Sequence, residues 1–176
     1  MPVDNEQFVG YYGQVKNQVF NYLMYRLKFD RAVAEDLFMD VILKAYRHFG
    51  DFNPKKGSFK TWIFTLAHNH LVNFWRDNSK NVTESLEELD EKGHPAAITH
   101  HKSSIDGQLE GQKVRHVLSL MNESDRELIS FRYFEELEYP EISAVLDKKE
   151  GAIRTGLSRA LDRFGTMYKK MYAKKR

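Results

Sequence analysis

Apolar residues recur along most of this chain at the three- and four-residue spacing of a buried helix face. Phe8, Tyr11/Tyr12, Val15, Val19, Tyr22/Leu23 and Leu27 predict a first helix, capped by Asp4 or Asn5 and running to about Lys28. Asp30 is placed to cap a second helix to about Phe49. Its stripe is Val33, Leu37, Val41 with Ile42, and Ala45 with Tyr46, widened by Ala34, Phe38 and Phe49. The loop G-D-F-N-P-K-K-G-S stops helical continuation at Pro54. A third helix, residues 59–76, is apolar around most of its circumference through Phe59, Trp62, Ile63, Phe64, Leu66, Ala67, Leu71, Phe74 and Trp75. The spacing dissolves from about Asn78 to Asp106, apart from a short helix expected at Ser85–Leu89. It returns over Leu109–Met121, over a helix capped by Asn122 or Ser124 (Ser124 with Glu127 has capping-box spacing), and over Pro140–Leu146. A last helix starts near Lys149 or Glu150, with Ile153, Leu157, Ala160, Leu161 and Phe164 as its buried stripe. Between these last two, Asp147 stands where a turn favours glycine, and Asp tolerates the left-handed conformation. The expected fold is all-α: two small helical domains, 1–78 and 108–176, joined by a flexible acidic linker, 79–107, the C-terminal domain being a helix-turn-helix.

Composition narrows the field. The 176 residues include no cysteine, which excludes disulfides and thiolate metal sites. The start M-P-V-D-N-E lacks an apolar run, and no stretch approaches the roughly 18 apolar residues of a membrane span. No signal peptide and no membrane insertion are expected, and a cytoplasmic location is. Net charge is only +2, but it is uneven. Residues 1–80 hold eleven Lys/Arg against eight acids, residues 81–111 two against seven, and residues 112–176 fourteen against ten. Two basic blocks that attract polyanions flank an acidic connector.

The narrow polar face of the third helix is unusual for a solvated strip. It carries Thr61, Thr65, His68, Asn69, Val72 and Arg76, with Asn73 at its border, and no acid before Asp77. Amides, hydroxyls and aromatics beside a cation suit unstacked nucleobases. At the other end, a short helix, a tight turn and a longer helix with Arg154, Thr155, Ser158, Arg159 and Asp162 outward fit a duplex major groove. Lys169, Lys170, Lys174, Lys175 and Arg176 add positive charge beyond it. His94, His100 and His101 lie in the polar connector without a ligand framework and read as solvated, so no metal and no cofactor is expected. His68-Asn69-His70 spells a nuclease-like triplet, but consecutive helical residues point about 100° apart and cannot converge on one metal. Nucleophile elbow, phosphate loop and HExxH are all missing, so no enzymatic activity is expected.

Three stretches in order, A-E-D-L-F-M-D-V-I-L-K-A-Y-R-H-F at 34–49, the 59–76 helix, and D-R-E-L-I-S-F-R-Y-F-E-E-L-E-Y-P-E-I-S-A-V-L…G-A-I-R-T-G-L-S-R-A at 125–160, resemble bacterial extracytoplasmic-function sigma factors. The resemblance implies an N-terminal domain that binds core RNA polymerase and the promoter minus-ten element. It also implies a C-terminal domain that reads the minus-thirty-five element. Asp36, Met39 and Asp40 would meet the clamp helices of the polymerase largest subunit, Met39 standing where the family usually has Gln. Asn69 would read a flipped base, with Asn73, Arg76 and His68 alongside and Lys55, Lys56 and Ser58 in the loop that shapes the pocket. Arg154, Thr155, Ser158 and Arg159 would read the upstream duplex, with Lys148 and Lys149 at the turn. Gly156 replaces a usual Lys or Arg, which implies one lost DNA contact. An anti-sigma factor is the further partner implied. The alternative is a stand-alone helix-turn-helix regulator that binds its operator without polymerase.

Overall fold

The computed structural model describes residues 5–81 and 105–173, and every regular element in them is helical. The connector from 82 to 104, with its three histidines and the expected Ser85–Leu89 helix, lies outside the described residues, as do Asp4, Lys174, Lys175 and Arg176. Helices α1 (Asn5–Arg26), α2 (Arg31–Arg47) and α3 (Phe59–Asn81) make up the N-terminal half. Helices α4 (Ile105–Leu120), α5 (Glu123–Ile129), α6 (Tyr139–Leu146) and α7 (Glu150–Tyr172) make up the C-terminal half.

The expected stripes are the buried ones. Phe8, Val15, Val19, Tyr22 and Leu23 of α1 meet Ala34, Leu37, Val41 and Ala45 of α2 and Phe59, Ile63, Phe64, Ala67 and Leu71 of α3. Helix α1 ends two residues before the expected point because Lys28 and Phe29 take left-handed backbone (φ 53° and 69°). Asp30 then caps α2, its Oδ1 accepting from the Val33 amide at 3.2 Å. Helix α2 stops at Arg47 and a single 3₁₀ turn, Phe49–Asp51, inserts Phe49 into the core. Helix α3 runs to Asn81, five residues beyond the apolar pattern.

In the C-terminal half Asn122, not Ser124, is the cap of α5, accepting from the Asp125 amide at 2.9 Å. The helix expected from this cap is interrupted: α5 widens into a π-helical turn, Ser130–Phe134, and Glu136 turns left-handed (φ 54°). Pro140 sits in the first turn of α6, where it withdraws no needed N–H. Asp147 adopts the left-handed conformation (φ 50°, ψ 47°) that the α6–α7 turn requires. The Arg163 guanidinium clamps Asp125 through two 2.5 Å bonds and ties α7 to α5.

Gly156 lies beside the buried stripe of α7, where a Cβ would come 2.9 Å from Leu128 Cδ1 of α5. A larger residue there would have to push that leucine tip aside. The two halves also share one apolar core. Tyr22 stacks on Phe131 (centroids 4.7 Å apart), Tyr25 on Phe134 (4.3 Å), and Phe64 meets Phe131 edge-on. The two expected bundles meet along a packed seam.

Candidate nucleic-acid interface

Helix α3 keeps its polar strip, but the strip is divided. Asn69, Val72 and Arg76 are exposed and Asn73 is half-buried. At spacings of three and four residues they form one solvent-facing row. One helix segment earlier, the C-terminal half covers the same strip. Glu127 Oε1 lies 2.8 Å from His68 Nδ1, accepts the Tyr22 hydroxyl at 2.7 Å and sits 3.2 Å from Arg26 Nε. Glu141 Oε1 accepts from Thr61 Oγ1 at 3.1 Å and from Ser58 Oγ at 3.4 Å. The Lys60 ammonium donates to the Glu135 carbonyl. Thus His68 and Ser58, expected to be free for DNA, are engaged by carboxylates in this arrangement.

The electrostatics of the seam follow from these partners. Burial pushes the Glu127 carboxyl up, but the His68 hydrogen bond and the Arg26 charge outweigh it, so the group is held below the usual carboxylate range. Its ionised form is the one the seam binds. Burial raises Tyr22 well above an ordinary phenol, so its proton stays available to Glu127. Glu135 is the opposite case. It is 1% exposed, its carboxylate oxygens have no partner among the described residues, and burial pushes it up to about 9 despite Lys60.

Lys55, Lys56 and Ser58 converge with Lys60 and the rings of Tyr11, Phe52 and Phe59 on a cleft of about 660 Å³. Trp62 packs on Phe52 and Phe59 from the core side. Asn69 stands eleven residues beyond Ser58, about 16 Å by helical rise, so the loop cleft and the Asn69 row are neighbouring stations on one helix.

The second face belongs to α7. Arg154, Thr155, Ser158 and Arg159 are all exposed and share one side of it, as do Lys148 and Lys149 at its entrance. Arg154 lies over the Tyr139 ring at 4.0 Å and Arg132 at 5.1 Å, so two guanidiniums are pre-aligned by one phenol. Sequence reasoning missed Arg132 and Tyr139, because residues 132, 139 and 154 share no helix period. It also missed the seam carboxylates. The one signal for Glu127 was Tyr22, a phenol on an apolar stripe whose hydroxyl needs a buried partner. The third face is on α2, where Asp36, Met39 (56% exposed), Asp40 and Leu43 are uncovered.

Residues 11–81 match Sigma-70 region 2 and residues 111–164 match Sigma-70 region 4. The chain belongs to the extracytoplasmic-function sigma factors. It is 28% identical over 158 residues to the ECF RNA polymerase sigma factor SigM of Bacillus subtilis (strain 168), covering 89% of this chain and 92% of that one. It is 26% identical over 162 residues to SigK of Mycobacterium tuberculosis (H37Rv), covering 90% and 83%. Among solved structures, the sigma factor RpoE in complex with the anti-sigma factor NepR from Bartonella quintana has the same fold, with a TM-score of 0.76 at 21% identity over 93% of this chain and 98% of that one. CnrH, in complex with the cytosolic domain of CnrY, gives 0.62 at 18% over 94% and 87%. This sigma factor therefore works in transcription initiation, with core RNA polymerase and promoter DNA as partners, and the stand-alone regulator is not favoured. Its role is regulatory. No helix among the described residues is long and apolar enough to cross a membrane.

Proposed function

We propose that this sigma factor divides its work among its three exposed faces, and that domains 1–78 and 108–176 carry them separately. The α2 face, with Asp36, Met39 and Asp40, docks on the clamp helices of the polymerase largest subunit. The α7 face, with Arg154, Thr155, Ser158 and Arg159, reads the minus-thirty-five duplex in its major groove, and Lys148 and Lys149 meet phosphates at its edge. The Asn69–Asn73–Arg76 row and the loop cleft of Lys55, Lys56 and Ser58 hold the unpaired minus-ten strand, with Asn69 on a flipped base. His68 joins them only once Glu127 has left it.

The observation that carries this reading is the exposed row on α3: neutral hydrogen-bonding groups and one cation, free of acids through Arg76, on an otherwise buried helix. Strand opening is then stabilised by trapping. Extruding a base costs a few kcal/mol, and each stacked base returns about 1–3 kcal/mol, so polymerase contacts must supply part of the balance. The factor acts in the cytoplasm, where polymerase is, and an anti-sigma factor of the kind held by RpoE would compete for these faces. Run-off transcription with core polymerase on a random-promoter library tests the reading. Transcripts that share two upstream elements and depend on this chain are expected. Specific duplex binding without polymerase, and no transcript with it, would overturn it.

A further inference from the structure

The His68-Asn69-His70 triplet sends its three side chains three ways, as consecutive helical residues must. His68 meets Glu127 at the seam, Asn69 faces solvent, and His70 turns toward α2. His68 and Asn69 belong to the seam and to the exposed row; His70 belongs to neither.

The His70 Nε2 lies 3.4 Å from Asp40 Oδ2. The histidine side chain is 25% exposed and the aspartate 61%, so the ring is the inner partner and the carboxylate the outer one. Nε2 is sealed from solvent and makes no hydrogen bond among the described residues. A buried ring nitrogen without a partner is costly, and Asp40 is the acid within its reach. A small turn of the exposed carboxylate closes the gap to a hydrogen bond, with Nε2–H donating and Oδ2 accepting. Asp36, one turn earlier on α2 and also exposed, has no side-chain partner among the described residues.

Asp40 stands on the face where Met39 and Leu43 are 56% and 47% exposed. Those two side chains add contact area but no directed polar group, so orientation on this face falls to the acids. A free aspartate turns about two bonds, and docking must arrest that motion at an entropic cost. A carboxylate tethered from behind at Oδ2 keeps Oδ1 outward and has less freedom to lose. We propose that His70 is a positioning residue for polymerase binding: from beneath the α2 face it holds the Asp40 carboxylate in the orientation that a cationic group of the polymerase meets. The inference rests on Asp40 being a polymerase contact. One turn of α3 then serves two partners, Asn69 toward the strand and His70 toward the polymerase face.

A double-mutant cycle tests it. Unlabelled variants compete with fluorescently labelled parent chain for core RNA polymerase, read by anisotropy, once circular dichroism shows parental helix content. His70→Leu should compete about two- to fivefold more weakly, the range of an exposed ion pair. His70→Gln, whose amide nitrogen reaches the place of Nε2, should compete like the parent. In an Asp40→Ala background His70→Leu should cost nothing further. In an Asp36→Ala background it should cost its full factor.

Parental competition by His70→Leu, or the same loss with and without the Asp40 carboxylate, would overturn the proposal. So would a His70→Gln chain as weak as His70→Leu. His70→Ala, carried through the same two backgrounds, repeats the cycle if His70→Leu loses helix. Failure of the docking reading looks different: Asp40→Ala by itself would compete like the parent.

Discussion

Glu135 is a carboxylic acid kept neutral by its surroundings. Lys60 is the nearest cation, but its ammonium is spent on the Glu135 carbonyl; Glu136 beside it and Tyr25 packed against it add no positive charge. Its folded-state value, about 9, lies above the free value of 4.5. The folded chain therefore binds a proton that the unfolded chain releases, and stability falls as pH rises between those two values. Glu135→Gln removes the dependence. In thermal unfolding the variant should match the parent within about 1 kcal/mol at pH 5 and exceed it by roughly 4–5 kcal/mol at pH 8. Two further residues carry the functional reading. Asn69→Ala should slow open-complex formation, read by permanganate reactivity, more than closed-complex binding; equal losses would remove the trapping role. Arg154→Ala should lower upstream duplex affinity by about 1–3 kcal/mol if a bidentate guanine contact is lost, measured against a scrambled duplex. Gly156 has a neighbour that the sequence does not show. That neighbour, Leu128, lies 28 positions away, so nothing local announces it.

At the scale of elements, most of the helices were legible because each is a stripe with a signal at its end. Asp30 and Asn122 cap as expected, Pro140 opens α6, and Asp147 turns the chain into α7. The last is testable. A β-branched side chain is strongly disfavoured at φ 50°, so Asp147→Val should cost about 1–2 kcal/mol in chemical denaturation and loosen the α7 reading face with it. The π-helical turn at Ser130–Phe134 could not be read. Its sequence keeps helical spacing, and the turn presents Phe131 and Phe134 to Tyr22, Tyr25 and Phe64 of the other half. The polar strip of α3 was legible as chemistry but not as exposure. Its partners Glu127 and Glu141 lie 59 and 80 residues from His68 and Thr61, and hydrogen bonds at that range leave no periodic trace.

For the whole molecule, the expectation of two bundles was sound in composition and incomplete in assembly. Each half has its own stripes, but Tyr22, Phe64, Phe131 and Leu137 are fully buried together. A compact chain of this length has a radius of gyration of about 16 Å by size scaling. Phe134→Ser, which strips one ring from the seam and leaves the Glu127 contacts in place, should enlarge that radius in small-angle scattering and leave the helical dichroism unchanged. An unaltered radius would mean that the Tyr22, Phe64 and Phe131 rings and the polar centre hold the halves together without it.

The guanidinium of Arg26 lies over the Trp75 ring at 4.7 Å while its Nε faces Glu127. The chain has two tryptophans, and the other, Trp62, sits among the loop aromatics. A Trp62→Phe chain would thus carry a single native fluorophore whose colour and quenching follow the cation above it. The molecule contains its own optical gauge of closure, usable in a cuvette with unlabelled protein and with polymerase added drop by drop.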